Sequence, residues 1–146
     1  MATRSKIAIA LLAGSVLLGP GQLTSSAQDG VDIDAAVAAA NPVLGQTVSF
    51  QCIGCHSFGE GEAARVGPNL FGIVGRLIGG VEGFAYSEPM AALGTADGTW
   101  TLAMLNDFLA TPAGAIPGTI MGFGGLGGDA DRYNLIAYLA TLTAAD

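Results

Sequence analysis

The chain has 146 residues, 51% hydrophobic and only 12% charged, with a formal net charge of −7. That length bounds it to about one domain, or one domain behind a targeting segment. The balance excludes a disordered polyelectrolyte, and it excludes a nucleic-acid binder, which needs Lys and Arg along the phosphates.

The first segment reads as targeting rather than fold. Arg4 and Lys6 precede an apolar run, Ile7 to Leu18, which Gly19 and Pro20 break. Ser25, Ser26 and Ala27 then offer small residues for cleavage. A basic start, a short apolar run and a small-residue site describe a secretory signal peptide over residues 1–27. The run is short for a membrane span, which leaves an uncleaved anchor as the lesser alternative. Without this segment Arg65, Arg76 and Arg132 stand against twelve acidic residues, a net charge of −9, and no lysine remains.

Residues 28–41 form an acidic, then alanine-rich extension. Asp34 is a candidate cap for a helix over Ala35–Ala40 that Asn41-Pro42 ends, although a frayed tail fits as well. Asp29, Asp32 and Asp34 read as a solvated acidic run rather than a calcium site. The main domain covers residues 42–146. Its first core helix is expected from Pro42 to Cys55.

That helix leads into Cys52-Ile53-Gly54-Cys55-His56, which holds both cysteines and the single histidine of the chain. C-x-x-C-H is the attachment pattern for c-type haem. Two thiols one helical turn apart suit the two vinyl groups along one edge of a flat porphyrin. The adjacent imidazole then reaches the iron, for which histidine is a standard ligand. A thiol–disulfide pair is the main alternative, but it calls for a preceding strand in a βαβ pattern, and strand signal is weak here. Zinc lacks further Cys or His ligands. A plain disulfide leaves the histidine unexplained.

Beyond the motif, Ser57 to Val66 is a polar loop, Asn69 to Val74 a short helix and Ile78 to Pro89 a winding loop. Trp100 to Ala110 is a helix, with Thr99 as its cap, Leu102, Leu105, Phe108 and Leu109 at helical spacing, and Pro112 past its end. Three methionines are candidates for a sixth iron ligand. Met104 lies in the apolar stripe and reads as core filling. Met90 follows Pro89 in a loop, open to solvent. Met121 lies in Ile116-Pro117-Gly118-Thr119-Ile120-Met121-Gly122-Phe123, whose small residues allow close backbone approach, and it is the best placed of the three. Gly122 to Gly127 matches G-x-G-x-x-G. Pro117 disrupts the strand a dinucleotide site requires, so these glycines serve the turn into a last helix, Arg132 to Leu142, capped by Asp129 or Asp131.

From about Asn41 to Leu142 the chain resembles the class I cytochrome c family, nearest to the bacterial cytochrome c2 group. The haem motif carries the resemblance first. Gly67-Pro68-Asn69-Leu70 is similar to the loop whose proline carbonyl accepts a hydrogen bond from the proximal histidine. Gly75-Arg76 is similar to the segment whose arginine lies near a haem propionate. Gly83-Phe84-Ala85-Tyr86-Ser87 and Trp100 resemble the tyrosine loop and the tryptophan that hydrogen-bond propionates. The Ile116–Met121 segment, Thr119 included, resembles the loop that supplies the methionine ligand. The last helix resembles the family's C-terminal helix, with Leu135, Tyr138 and Leu139 facing inward.

The resemblance implies an all-α fold, several helices and long loops wrapped around one covalent haem c. It implies a cofactor site of Cys52, Cys55, His56, Pro68, Arg76, Tyr86, Trp100, Thr119 and Met121, with His56 and Met121 on the iron. It implies a periplasmic electron carrier with no catalytic centre, passing one electron between larger redox proteins. A haem-c subunit or anchored carrier serving a periplasmic dehydrogenase, and a haem sensor or enzyme with an open iron, are the variants. The acidity points to donor and acceptor proteins with a basic or apolar docking surface, met near Ile53, Ile116, Ile120 and Phe123. Membrane contact then runs only through those partners.

Four features depart from the family pattern. Ile120 stands where a lysine usually precedes the ligand methionine. Phe108 stands where many members have a tyrosine bonded to the methionine sulfur, and phenylalanine has no donor. Ser49 stands where an aromatic follows Gly45, with Phe50 one place later. No lysine rings the haem edge.

Overall fold

Side-chain caps decide where the helices begin. The computed structural model describes residues 30–144, and the account below concerns the unit beginning at Val31. The expected signal peptide lies outside the described residues. Asp32, rather than Asp34, caps α1 (Ile33–Ala38), accepting the Ala35 N–H at 3.1 Å. Asp34 falls in the first turn, where a negative charge complements the helix dipole. Val37 is buried and α1 packs on two later helices, so this stretch is a docked helix and not a frayed tail. Asn41 stops α1 and starts α2 (Pro42–Val48). Its Oδ1 accepts from Val43 N and Leu44 N, and Pro42 occupies the first turn, where a missing N–H costs nothing.

α2 is shorter than expected. After Val48 the chain tightens into a 3-10 turn, Ser49–Gln51, and then turns through Cys52 to Cys55. Asn69 to Val74 forms turns and no helix, because Gly72 and Gly75 take φ of +66° and +80°, outside helical space. The expected loop to Pro89 ends early in a helix not foreseen from sequence, α3 (Glu88–Thr95). Pro89 sits in its first turn, the one place in a helix proline favours. Met90 is therefore a buried helical residue rather than an exposed loop residue.

α4 (Leu102–Ala110) begins two residues late, capped by Thr101 and not Thr99. Thr99 and Trp100 are held extended. Thr99 bridges Leu77, while Trp100 N donates to Arg76 O and Trp100 O accepts from Gly75 N, each at 2.9 Å. That bridge is isolated, and among the described residues no strand forms, in agreement with the all-α expectation. A short α5 (Pro112–Ala115) follows, then a glycine-rich loop and α6 (Asp129–Thr141). Gly128 occupies the N-cap of α6, leaving Asp129 and Asp131 in the first turn instead of at the cap.

α2 crosses α6 backbone to backbone. A Cβ on Gly45 would lie 1.9 Å from Asn134 O, so only glycine fits. Ser49 is buried, whereas Phe50 is 65% exposed and supplies no aromatic here. The aromatic at this crossing comes from α6: Tyr138 Cβ would lie 2.8 Å from the added Cβ. Leu135 and Leu139 face inward as expected, Tyr138 is half-buried, and Ile136 is fully buried at the same face.

Candidate functional site

The hydrogen bonds of the 3-10 turn carry on through the motif. Cys55 N and His56 N both donate to Cys52 O, at 3.0 and 2.9 Å, which stacks the motif into one compact turn. His56 is buried and its Nδ1 lies 2.7 Å from Pro68 O. A carbonyl only accepts, so Nδ1 carries the proton and Nε2 keeps its lone pair. Burial holds the imidazole pKa below its ordinary value, against a smaller opposing effect of the Pro68 carbonyl. A neutral ring with a free Nε2 is the form that binds iron.

The loop over this ring is built for closeness. Gly67 N donates to Cys55 O at 2.8 Å, and a Cβ at Gly67 would lie 2.3 Å from His56 Cε1. Asn69, buried, ties the loop to its neighbours. Its Nδ2 donates to Gly59 O and Glu62 O, both at 2.8 Å, and its Oδ1 accepts from Phe71 N at 2.6 Å. Neither role was assigned from sequence, although a Gly-Pro-Asn run is the composition of a close, self-bonded turn.

A cavity of about 650 Å³ opens beside His56. All nine residues named as cofactor-binding in the sequence line it: Cys52, Cys55, His56, Pro68, Arg76, Tyr86, Trp100, Thr119 and Met121. Most of the remaining wall is apolar, with Ile73, Leu105, Leu109, Leu135 and Leu139. Met90 also lines it, and Met104 does not. Phe108 stands in the wall with its ring 5.1 Å from that of Trp100 and has no donor to offer.

The polar part of the wall wants an acceptor. Arg76 donates through Nη1 to Phe71 O and through Nη2 to Asn69 O, both at 2.9 Å, while its buried Nε has no partner. Ser87 Oγ is also buried and unpaired. Sequence reasoning placed Ser87 in the Tyr86 loop without a role of its own; it stands at the N-cap of α3, where its side chain makes no capping bond. Tyr86 accepts from Val81 N at 3.3 Å and keeps its own O–H to give. Burial pushes the Tyr86 phenol up, with Val81 and Arg76 acting the other way, so it stays a donor at neutral pH. Burial also pulls the Arg76 guanidinium down, with a smaller opposing effect of Tyr86. Buried donors without partners are costly, and carboxylates are the groups that satisfy them best.

Cys52 lacks the environment of a reactive thiolate. Burial pushes the Cys52 thiol up, and Cys55 adds to the rise. Reactive thiols need the opposite shift. The rim of the cavity also differs from expectation. Ile116 is only 2% exposed and belongs to the core, because it anchors the loop before Met121. Ile53 and Ile120 are exposed, at 44% and 69%, and Val66, not foreseen, is 79% exposed at the cavity's edge.

No protein-family model matches the chain. Individual proteins do. It is 46% identical over 120 residues to a cytochrome c homolog of Bradyrhizobium diazoefficiens, covering 75% of this chain and 64% of that protein. It is 41% identical over 103 residues to cytochrome c-550 of Ancylobacter novellus, covering 70% of this chain and 96% of that one. Cytochrome cH from Methylobacterium extorquens superimposes with a TM-score of 0.64 at 36% identity, covering 70% of this chain and 99% of that structure. The chain belongs to the class I cytochrome c family. As a cytochrome c it is an electron carrier rather than an enzyme, and its haem c is held through Cys52 and Cys55. The site fits that group on its own terms. It offers two cysteines, a preorganised imidazole, an apolar cavity, and unpaired buried donors at Arg76 and Ser87 for carboxylates.

Proposed function

We propose that this cytochrome c is a periplasmic carrier exported by residues 1–27, in which His56 and Met121 would hold the iron of its haem. The observation that carries this reading is the convergence of a neutral His56 and Met121 on one cavity, with Pro68 fixing the tautomer. When bound, the haem iron takes up or gives off one electron. The chain's own residues do the rest. His56 presents Nε2, held by Pro68 and Gly67. Thr119 Oγ1 accepts the Met121 N–H at 3.3 Å and shapes the turn that presents the thioether. Arg76, Tyr86, Trp100 and Ser87, which line the cavity, would receive its carboxylates. The apolar wall excludes water, and Met/His ligation raises the reduction potential.

The same reading gives the partner. No Asp, Glu, Lys or Arg occurs from Ala35 to Gly59, and the exposed Phe50 and Ile53 lie beside Gln51 and Cys52, which line the cavity. With Val66 and Ile120 they make an apolar rim on an acidic protein, with one exposed cation among them, Arg65, whose Nη1 donates to Ile53 O at 2.7 Å. A redox partner with an apolar contact surface, in a basic surround, fits it.

Replacement of the methionines tests the ligand. Met121→Ala abolishes the iron–thioether charge-transfer band and lowers the potential, and Met90→Ala and Met104→Ala keep both. Loss of the band in Met90→Ala instead overturns the assignment.

A further inference from the structure

Arg132 is the one basic side chain of α6, and it is buried rather than solvated. Each of its nitrogens is spent on a different segment. Nε donates to Asn106 Oδ1 on α4 at 3.0 Å, Nη1 donates to Leu126 O at 2.7 Å, and Nη2 pairs with Asp129 at the start of α6. Leu126 is held from its other side as well, since its N–H donates to Leu109 O at 2.8 Å. Next to it Gly125 takes φ of +100° and passes so close to α4 that a Cβ would lie 2.1 Å from Ala110 O. The loop is thus pinned at a single residue, through both halves of its backbone.

What lies between that pin and Met121 has little stiffness of its own. Gly122, Gly124 and Gly125 surround Phe123, and an added Cβ at Gly122 or Gly124 would meet nothing within 4 Å. On the other side, Ile116 is buried and accepts from Thr119 N at 3.0 Å. Met121 therefore rides on a segment strung between Ile116 and Leu126. Glycine-rich chain has little stiffness, so this segment resists displacement through its fixed ends and through Phe123, which packs half-buried against the core.

We propose that Arg132 is the positioning residue for Met121: by holding Leu126 to α4 and α6, it sets how much of the time the thioether is seated in the cavity. This rests on Met121 as the ligand. A hydrogen bond from a charged donor biases a local equilibrium by about tenfold or more. An added ligand such as imidazole competes only when the thioether is away, so its apparent affinity rises in proportion to that population.

The test uses ferric, haem-loaded protein and free imidazole, followed in the visible spectrum. In Arg132→Met, the imidazole dissociation constant is expected to fall by about tenfold or more. Asn106→Ala removes one acceptor of the guanidinium and gives a smaller fall, keeping the test available should Arg132→Met not fold. Ile136→Val is the control, since it loosens a fully buried α6 side chain that does not line the cavity and touches none of the Arg132 hydrogen bonds. At matched denaturation midpoint it leaves imidazole binding near the parental value. Amide exchange at Leu126 speeds up in the first two variants and not in the control. Imidazole affinity that follows global stability alike in all three variants makes Arg132 merely structural and overturns the proposal. An iron–thioether band that is absent from the parent, or that survives Met121→Ala, overturns the ligand reading and the proposal with it. A band that Met121→Ala removes, with unchanged imidazole binding in Arg132→Met and Asn106→Ala, overturns the proposal alone.

Discussion

His56 lies against Gly67 so closely that a single added carbon would sit 2.3 Å from its Cε1 and 2.7 Å from its Nδ1. The glycine and the Pro68 carbonyl together fix the plane and the tautomer of the ring. Gly67→Ala must push the imidazole or the loop aside. Overpacking of this kind costs about 1–3 kcal/mol. The expected outcome is a lower melting temperature and less haem-loaded protein, checked by calorimetry and by the haem-to-protein absorbance ratio. Normal loading and stability would show that the loop yields freely.

Arg76 has a structural task apart from any carboxylate it faces. It donates to Phe71 O and Asn69 O, and hydrogen bonds from a charged donor are worth about 1.5–3 kcal/mol each. Arg76→Leu is expected to lower the denaturation midpoint clearly. It is also expected to alter the pH dependence of the reduction potential, because a neighbouring carboxylate loses its counter-charge. Redox titration across pH separates the two effects; a changed midpoint with an unchanged potential profile confines Arg76 to the loop.

Glu62 gives a pH signature. Its carboxylate accepts from Gly59 N at 2.9 Å and Phe58 N at 3.1 Å, bonds that hold its pKa below the ordinary value of 4.5, with a small contribution from Arg65. A depressed carboxyl contributes stability that is fully present above the ordinary value and is lost as pH falls through the folded one. Glu62→Gln keeps an acceptor but cannot titrate. Its melting temperature should therefore fall less steeply on the acid side of pH 4.5 than that of the parent. Parallel acid limbs in the two proteins would remove Glu62 from the account.

High pH offers a different contrast. In the family a neutral lysine amine often replaces the methionine ligand under alkaline conditions. The only lysine here is Lys6, inside the expected signal peptide. The thioether-bound ferric form is expected to persist to higher pH or to give way to hydroxide. Spectroscopic titration checks this, and an amine-ligated species in the mature protein would contradict it.

Salt separates steering from contact. Residues 28–146 carry a net charge of −9 (three Arg against twelve acidic residues), which would attract a basic surround over a Debye length of about 8 Å in physiological salt. The apolar side chains of the rim, Phe50, Ile53, Val66 and Ile120, are indifferent to salt, whereas Arg65 among them is not. Electron-transfer rates with the physiological partner should fall as ionic strength rises and then level off above zero. A rate that climbs with salt would mean two like-charged proteins, and the basic surround would be lost.

The site was legible in the sequence to the extent that its chemistry is tied to spacing. Cys52, Cys55 and His56 must be neighbours in the chain to meet one edge of a porphyrin. Pro68, Arg76, Tyr86, Trp100, Thr119 and Met121 came through the family resemblance, and all line the same cavity. What escaped is set by long-range geometry. Ile116 looks like any exposed loop residue until the fold buries it. Met90 follows a proline that reads equally as a loop or as a helix start. Asp129 and Asp131 compete with Gly128 for one cap, and a local pattern does not rank them. Arg132 looks like surface charge on a helix, because nothing near it in sequence announces that Asn106 and Leu126 will converge on it.

The cavity beside His56 occupies the place where a chain of this size ordinarily joins its helices side chain to side chain. Leu105 and Leu109 of α4 and Leu135 and Leu139 of α6 spend their packing faces on it. Haem attachment is therefore expected to supply much of the stability of the folded chain, as a metal does for small domains organised on one. A copy that misses its haem leaves Leu105, Leu109, Leu135 and Leu139 around an unfilled cavity and is expected to open to proteases more readily. The level of this carrier is then tied to haem supply and to the speed of attachment.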